Sequence, residues 1–451
     1  MLMEILENQN DLKIEQFVTN INQALTLDLI VLAVFKLSLY IGSIILSEIV
    51  SKRAQQSVER PICPDCASLL ERKEWLPRKI MTLLGQIIWK RLSWRCPNGC
   101  KIGQITPFDK ILGISSSQRT SNEVKRICCL LAVFVPFGIA STIVETLTGL
   151  KVSAKGIWNW VQEAGAKGIQ KINEELEKLN EGEEPQLNEI ESEVAELPMV
   201  IGGDGVTVPF RPNEGSPKGK TKWFVVNIGI IARIGSKISK TGKKISVIVR
   251  RRVIAVLDNI TIFKNHMHLE ALKEGINNAK QIVWLSDGAK GFWTVFRELF
   301  AGLKNVYGIL DFYHAAQNLY KGAKAKHDGR TKKCQEWFEK ARKKLRLGKA
   351  KNILKEITQW LKKDEFTDEV VRILSNLKKY LEFHVDHINY DHYKALGLPI
   401  GSGMIESACK WVIQQRFKGV GMRWSQKGFK NLLCLRVAFL NGNFDDLFVF
   451  P

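Results

Sequence analysis

The chain has 451 residues, 45% of them hydrophobic and 25% charged, ordinary globular values that exclude wholesale disorder, a collagen-like repeat and a polytopic membrane protein. Its 67 Lys and Arg against 46 Asp and Glu leave a formal charge of +21, which costs self-repulsion and points to a polyanionic partner, nucleic acid or an acidic membrane surface. Length alone suggests two to four domains of about 100–200 residues each.

Residues 1–10 are acidic and lack the basic start and apolar core of a secretory leader. That predicts a reducing, cytoplasmic setting, where close Cys pairs suggest metal rather than disulfides. Residues 24–50 are very apolar, but Asp28, Lys36 and Glu48 interrupt them. A spanning helix wants about 20 apolar residues with few or no charges. A central Lys without a polybasic flank therefore favours a buried or dimer-forming helix over a membrane span, and no membrane is expected. Residues 1–55 are assigned to an N-terminal helical region.

Cys63 and Cys66 lie in ICPDC, and Cys96 and Cys100 in RCPNGC. Two thiolates on one tight turn can hold the same ion, and two such turns complete a tetrahedral site. One structural Zn²⁺ suits this all-sulfur set. Gly85–Trp94 between the pairs reads as a basic strand, so 56–115 is expected to be a zinc ribbon, with four buried free thiols as the other reading. Nearby Arg91, Arg95 and Lys101 suit DNA-backbone contact, or the knuckle is purely structural.

From Asn122 to Glu163 the pattern turns helical. Phe137–Leu147 spaces its apolar residues for one helix, Thr148-Gly149-Leu150 makes a turn, and Ser153 caps a second helix with Ile157, Trp160 and Val161 inward. This is the layout of a helix-turn-helix, assigned to 116–170, in which the second helix reads DNA. Lys151, Lys155 and Asn159 would face phosphates or bases; a plain helical hairpin is the alternative. Cys128 and Cys129 read as core.

Between Glu174 and Glu196 stand ten Glu and one Lys. An acidic linker over 171–197 is one reading; for its first half a solvated helix face is the other, ended by Gly182 and Pro185. Strand signals follow at Pro198–Phe210, Lys222–Ile234 and Ile245–Leu257, with turns at 215–220 and 235–243. Then come a helix at Met267–Ala279, a buried strand at Gln281–Ser286, a helix from about Lys290, and a strand at Asn305–Leu310. Three antiparallel strands followed by alternating helices and strands is the order of the ribonuclease-H-like fold. There strand one lies beside strand four, so Asp204 and Asp287 would share metal ions across neighbouring strands about 4.8 Å apart. Glu406, early on a helix after Gly401-Ser402-Gly403, is the best third carboxylate, with Ser402 as candidate cap. By residue type alone this set is weak, because Asp-Gly pairs are mostly turns.

The longer strings are more specific. SDGAKGFW, ILDFYHAAQNLY, GLPIGSGMIESACKWVIQQRFKGVGMRWS and LCLR resemble the DDE transposases of bacterial insertion sequences, above all the Kra-type family, a relative of Mutator-like transposases. The similarity runs from about Asp204 to the C-terminus. It implies a catalytic triad of Asp204, Asp287 and Glu406 that binds two Mg²⁺ (or Mn²⁺) ions, and it matches Asp311 and His314 to an accessory D-x-x-H pair. It implies an all-α insertion at 321–395, helical and basic, packed around Trp337, Trp360 and Tyr380, between catalytic segments 198–320 and 396–451. Arg416, Lys418, Arg423 and Trp424 would hold the scissile strand, or form a basic loop around a core Trp.

The fold class expected is thus multidomain α+β: an N-terminal helical region with zinc ribbon, a helix-turn-helix, and an interrupted ribonuclease-H-like domain. The activity implied is end cleavage and strand transfer on double-stranded DNA, at terminal inverted repeats and target, by a homodimer or larger assembly on the bacterial nucleoid. A ribonuclease-H-like nuclease without strand transfer and a non-catalytic DNA-binding derivative are the competing classes.

Overall fold

The computed structural model describes residues 12–56, 59–212, 219–242, 244–257, 259–362 and 366–448. The expected leader-free start and parts of the two turn stretches fall outside them. The chain divides into two compact units, one from residues up to 164 with those from 443 onward, the other from 165 to 442.

The first unit opens with helices α1 (Leu12–Gln23) and α2 (Leu27–Gln56). The expectation of a buried helix at 24–50 fails over most of its length and holds only towards its end. Ser43, Val50 and Ala54 are buried, and Val50 and Ala54 join Ile80, Ile87, Trp89 and Phe108 in a small core. The first turns of α2 are not covered: Leu27 is 74%, Val31 58% and Phe35 47% exposed. With an 18-residue stretch of mean hydropathy 2.4, α2 is long and apolar enough to cross a membrane. Strands β1 (Glu71–Thr82) and β2 (Gly85–Arg95) form an antiparallel hairpin with a bulge between Arg72 and Glu74. Only β2 was readable beforehand, because β1 is polar and contains Pro77. After a short α3 (Pro107–Ile111) come α4 (Asn122–Phe134) and α5 (Phe137–Thr148). Gly149 ends α5 at φ +72°, the left-handed C-cap that costs glycine nothing, and its N–H donates to Glu145 O over 2.8 Å. Helix α6 (Ala154–Asn180) then starts with Ser153 Oγ accepting from Gly156 N–H (3.1 Å). Ile157 and Val161 are fully buried, as are Cys128 and Cys129 on α4.

Helix α6 runs ten residues past the expected end of the helix-turn-helix at 170 and stops before Gly182. So 171–180 is helix, and only 181–197 is an acidic connector with one short helix, α7 (Ser192–Ala195). That connector is tied down. Asn188 N–H donates to Lys273 O (2.8 Å), and Asn188 Nδ2 donates to the buried Glu274 (2.8 Å), which also takes two bonds from Arg250.

The second unit is built on one five-stranded sheet: β3 (Met199–Phe210), β4 (Lys222–Ile238), β5 (Lys244–Leu257), then helix α8 (Ile260–Lys273), β6 (Ile282–Ser286), helix α9 (Lys290–Leu299) and β7 (Val306–Leu310). Their spatial order is β5-β4-β3-β6-β7; β3 to β5 are antiparallel, and β6 and β7 run parallel to β3. The first strand is central because its alternate residues are apolar on both faces, and every residue from Met199 to Gly203 is buried. Helix α8 begins seven residues before the expected Met267, because Asn259 Oδ1 accepts from Thr261 and Ile262 N–H and caps it.

Helices α10 (Phe312–His327), α11 (Lys332–Arg346), α12 (Ala350–Leu361), α13 (Asp368–Phe383) and α14 (Tyr390–Ala395) follow. Their Leu345, Ile353, Ile357, Leu374 and Leu381 share one continuous core with Trp284 and Trp293 of the sheet layer. The Trp337 and Trp360 rings meet at 4.8 Å inside this helical group. Helix α15 (Gly403–Ala408) leads through a π-helical turn (Cys409–Gln414) to α16 (Gln415–Phe417), and α17 (Gln426–Leu440) closes the unit.

Candidate active site

The strand registers set the acids. Val200 pairs with Val283 and Ile201 with Trp284 across β3 and β6. Carried three residues on, the same register brings Asp204 beside Asp287, and Ser286 Oγ donating to Gly203 O (3.1 Å) holds the alignment there. Across β6 and β7, Ser286 pairs with Leu310, and Asp311 N–H donates to Ser286 O (2.9 Å). Asp204, Asp287 and Asp311 therefore stand level on three adjacent strands.

Helix α15 lies over this row. Residues two apart on a strand share a face, so Gly202 faces as Asp204 does. A Cβ at Gly202 would sit 2.1 Å from Ile405 Cδ1 and 2.2 Å from Leu285 O. Only glycine lets Ile405 seat there, and the next residue, Glu406, meets the acid row through His314, which also faces Asp311. One helical turn on, the buried Cys409 donates from Sγ to Asp204 Oδ2 over 3.6 Å. Gly202→Ala is expected to cost about 3 kcal/mol, the upper range for overpacking, since Leu285 O is backbone and cannot yield. Thermal melting followed by circular dichroism checks it; an unchanged midpoint would show that α15 is not seated on Gly202.

Burial holds the Asp204 carboxyl above the usual carboxylate range, helped by the nearby charge of Asp287 and opposed by the Gly205 N–H and Cys409 Sγ hydrogen bonds. Asp287 Oδ1 accepts from Ala289 N–H (3.0 Å). Asp311 is 1% exposed; it caps α10 by accepting from His314 N–H (2.7 Å) and also accepts from Ser402 N–H. So Ser402 precedes α15 as expected, but its side chain caps nothing; its backbone N–H is held by Asp311. The His314 ring lies between two acids, Nδ1 3.7 Å from Asp311 Oδ1 and Nε2 3.8 Å from Glu406 Oε1. Nothing in the residue type of Cys409 singled it out beforehand; its place one helical turn past Ile405 was the available signal.

Metal fit differs between the two candidate centres. Cys63, Cys66, Cys96 and Cys100 bring all four sulfurs within 4.8 Å of one another, the only such group of three or more metal-type ligands among the described residues. The three carboxylates do not gather that closely, so they do not form a cage for a single ion.

The DNA-facing expectations separate as well. Lys151 and Asn159 are exposed, and Lys155 Nζ lies 3.7 Å over the Trp158 ring. Lys418 and Arg423 are exposed, and Arg423 Nη1 donates to Gly219 O at 3.5 Å. Arg416 is not on the surface. It is 1% exposed with its guanidinium 5.3 Å from the Trp424 ring, and burial with the nearby Arg436 pulls its pKa down to about 10. Trp424 is half-buried, its Nε1 donating to Phe417 O (2.9 Å) and its ring packed against Phe417 and Phe429. Arg91 is likewise turned inward, 3.2 Å from the buried Asp109.

No family model matches the chain. It is 26% identical over 375 residues to a protein of Streptococcus gallolyticus described as "UPF0236 protein in vanSb 3'region", covering 82% of this chain and 74% of that one. Among solved structures it is similar to the Drosophila P element transposase strand transfer complex, at 12% identity and a TM-score of 0.28, covering 72% of this chain and 80% of that one. A likeness that loose decides neither fold nor activity.

Proposed function

We propose that this chain is a DNA transposase of the DDE type, with Asp204, Asp287 and Glu406 as its catalytic carboxylates on a ribonuclease-H-like sheet. The observation that carries the reading is the convergence just described: Asp204 and Asp287 level across β3 and β6, and Glu406, next to the Ile405 seated on Gly202, meeting the acid row through His314. The sheet order β5-β4-β3-β6-β7 agrees with that fold. The motif strings around Asp287 and Glu406 agree with the family they resemble.

Two ions about 3.5–4 Å apart allow the outer ligands of a shared site to lie farther apart than one ion would. Asp204, Asp287 and Glu406 would hold such ions, since carboxylates suit Mg²⁺ or Mn²⁺. When bound, such ions supply charge neutralisation on the scissile phosphate and a more acidic attacking water. The chain's own residues position that chemistry. His314 orients Glu406, Asp311 anchors both His314 and the Ser402 turn, and Cys409 fixes one Asp204 oxygen. The exposed Lys418 and Arg423, with the basic helices α11 and α12, suit the DNA backbone. In the first unit, α5 and α6 with Lys151, Lys155 and Asn159 would read the inverted repeats as a helix-turn-helix, beside a zinc ribbon. Acting on two element ends requires a dimer or larger assembly.

The test is incubation of the purified chain and Mg²⁺ with duplexes carrying the DNA that borders its gene. Cleavage leaving a 3′-OH, and joining of pre-cut ends to a target plasmid, are expected. Cleavage without joining would reduce the reading to a nuclease, and binding without either to a DNA-binding derivative. His314→Ala is expected to lower cleavage roughly ten- to a hundredfold without shifting the melting point, as for a residue that orients another.

A further inference from the structure

The β4–β5 hairpin outruns its sheet. The last pairing of β3 is Met199 with Arg233. Beyond it β4 and β5 continue alone through five more pairs, Ile234 with Ile248 out to Ile238 with Lys244. A bulge between Arg233 and Ile234 marks where the ribbon leaves the sheet. Strand alternation splits the side chains over two faces; Ile234 at the base packs on the main core, and farther out no other strand pairs with the ribbon among the described residues. Ile238 is 77% exposed, and Ile245, Ile248 and Val249 are 40–49% exposed. An uncovered two-stranded ribbon with apolar side chains is a liability unless something binds it.

Charge identifies the occupant. From Ile234 to Leu257 there are four Lys, three Arg and no acid. Nearer the sheet, Arg250 and Arg252 are paired with Glu274 and Glu270. Farther out, Lys237 and Lys240 form no ion pair with any described residue. A two-stranded ribbon has the width to enter the major groove of B-DNA, where exposed aliphatic side chains meet thymine methyls. Ile238 lies ten residues beyond Ile228, the partner of Asp204. At about 3.3 Å per residue that is roughly 33 Å, close to one turn of B-DNA.

We infer that this ribbon is a duplex-binding arm, with Lys237 and Lys240 on phosphates and Ile238 against the groove, engaging DNA about one helical turn from the phosphate cut at Asp204. It rests on the reading of the chain as a DNA enzyme and adds a second contact remote from the acids.

The experiment compares the full chain with K237A/K240A on a fluorescent 40-base-pair duplex at several salt concentrations. Each phosphate contact contributes about 0.9 to the log–log salt slope. The variant should therefore have a slope shallower by about 2 and bind at least tenfold more weakly at low salt, with an unchanged melting point. On duplexes ending within about 8 base pairs of the cut, variant and wild type should bind alike, since the arm lies beyond them. Equal slopes and affinities on the long duplex would overturn the arm while leaving the transposase reading intact. Failure of the wild type to bind any duplex would overturn that reading with it. I238S/I245S separates the remaining occupant: if it turns a DNA-free dimer into a monomer while duplex binding stays unchanged, the ribbon joins copies of the chain and the inference is wrong.

Discussion

Asp204→Asn is expected to abolish cleavage, by about a thousandfold or more, while the protein folds and binds DNA as before. The isosteric amide keeps the volume and one acceptor but loses the negative charge. Losing about 4 kcal/mol of transition-state stabilisation, within what a bound metal ion contributes, is a thousandfold in rate. The fold should not suffer, because the carboxylate is an electrostatic cost to it. Burial and the charge of Asp287 raise the Asp204 carboxyl above its ordinary value. A raised folded-state pKa means that the native state binds the proton more tightly than the unfolded chain does. The stability this gives is fully present below the unfolded value of about 3.9, and it is lost as pH rises through the higher folded value. Metal-free Asp204→Asn should therefore melt at the same temperature as the wild type or above it at pH 8, with the gap closing towards pH 4. A cleavage assay beside a pH series of melts reads both effects. Undiminished cleavage removes Asp204 from the triad; cleavage lost together with a large drop in melting point makes the residue structural.

What the sequence disclosed follows from where physical signals are local. The strands around Asp204 and Asp287 were legible because continuous apolar runs such as IVWLS end in turn residues, and a fully buried strand needs such a run. The pairing of α5 with α6 was less so, but the Gly149 and Ser153 caps bounded the two helices around the turn. Strand β1 was hidden because ERKEWLPRKIMT has no alternation; it is held by pairing with β2 and by Arg78 donating to the carbonyls of Ser115, Ser116 and Gln118. The start of α8 was hidden because Ile260, Thr261 and Ile262 look like strand, and the Asn259 cap overrides that preference. In the site, acids could be proposed from motif strings, but which arginine faces outward could not. Arg416 and Arg423 sit in one basic string, yet the first is buried beside Phe417 and Trp424 and the second is exposed. Burial of that kind depends on partners distant in the chain.

The second large effect concerns the four cysteines. One zinc per chain is expected on purification, and its removal should unfold the β1–β2 hairpin region. Cys66 Sγ and Cys96 Sγ are 3.5 Å apart, near the roughly 3.8 Å edge of a tetrahedron with Zn–S bonds of about 2.3 Å. Hydrogen bonding to Ser68, through side chain and backbone, brings the Cys66 thiol down to about 6, which favours the thiolate a metal needs. By contrast, burial alone pushes Cys128 up to about 12, as in an inert core thiol. The apolar support around the cluster is slight: besides Cys63 and Cys96, only Leu70, Leu92 and Trp94 are buried there. A two-stranded hairpin is marginal on its own, and its other core, around Ile80, Ile87 and Trp89, lies towards the turn, so the metal must supply most of the order at the cysteine end. Structural zinc binds with on the order of 10 kcal/mol at neutral pH, and where the site forms only on folding, that is folding free energy. C66S/C100S, or wild type held in a strong chelator, should thus show a separate early melting transition absent from the zinc-loaded chain, while the sheet carrying Asp204 melts as before. Elemental analysis finding no zinc, with a melt indifferent to chelator, would leave four free thiols in place of a metal site, of which only Cys63 and Cys96 are buried.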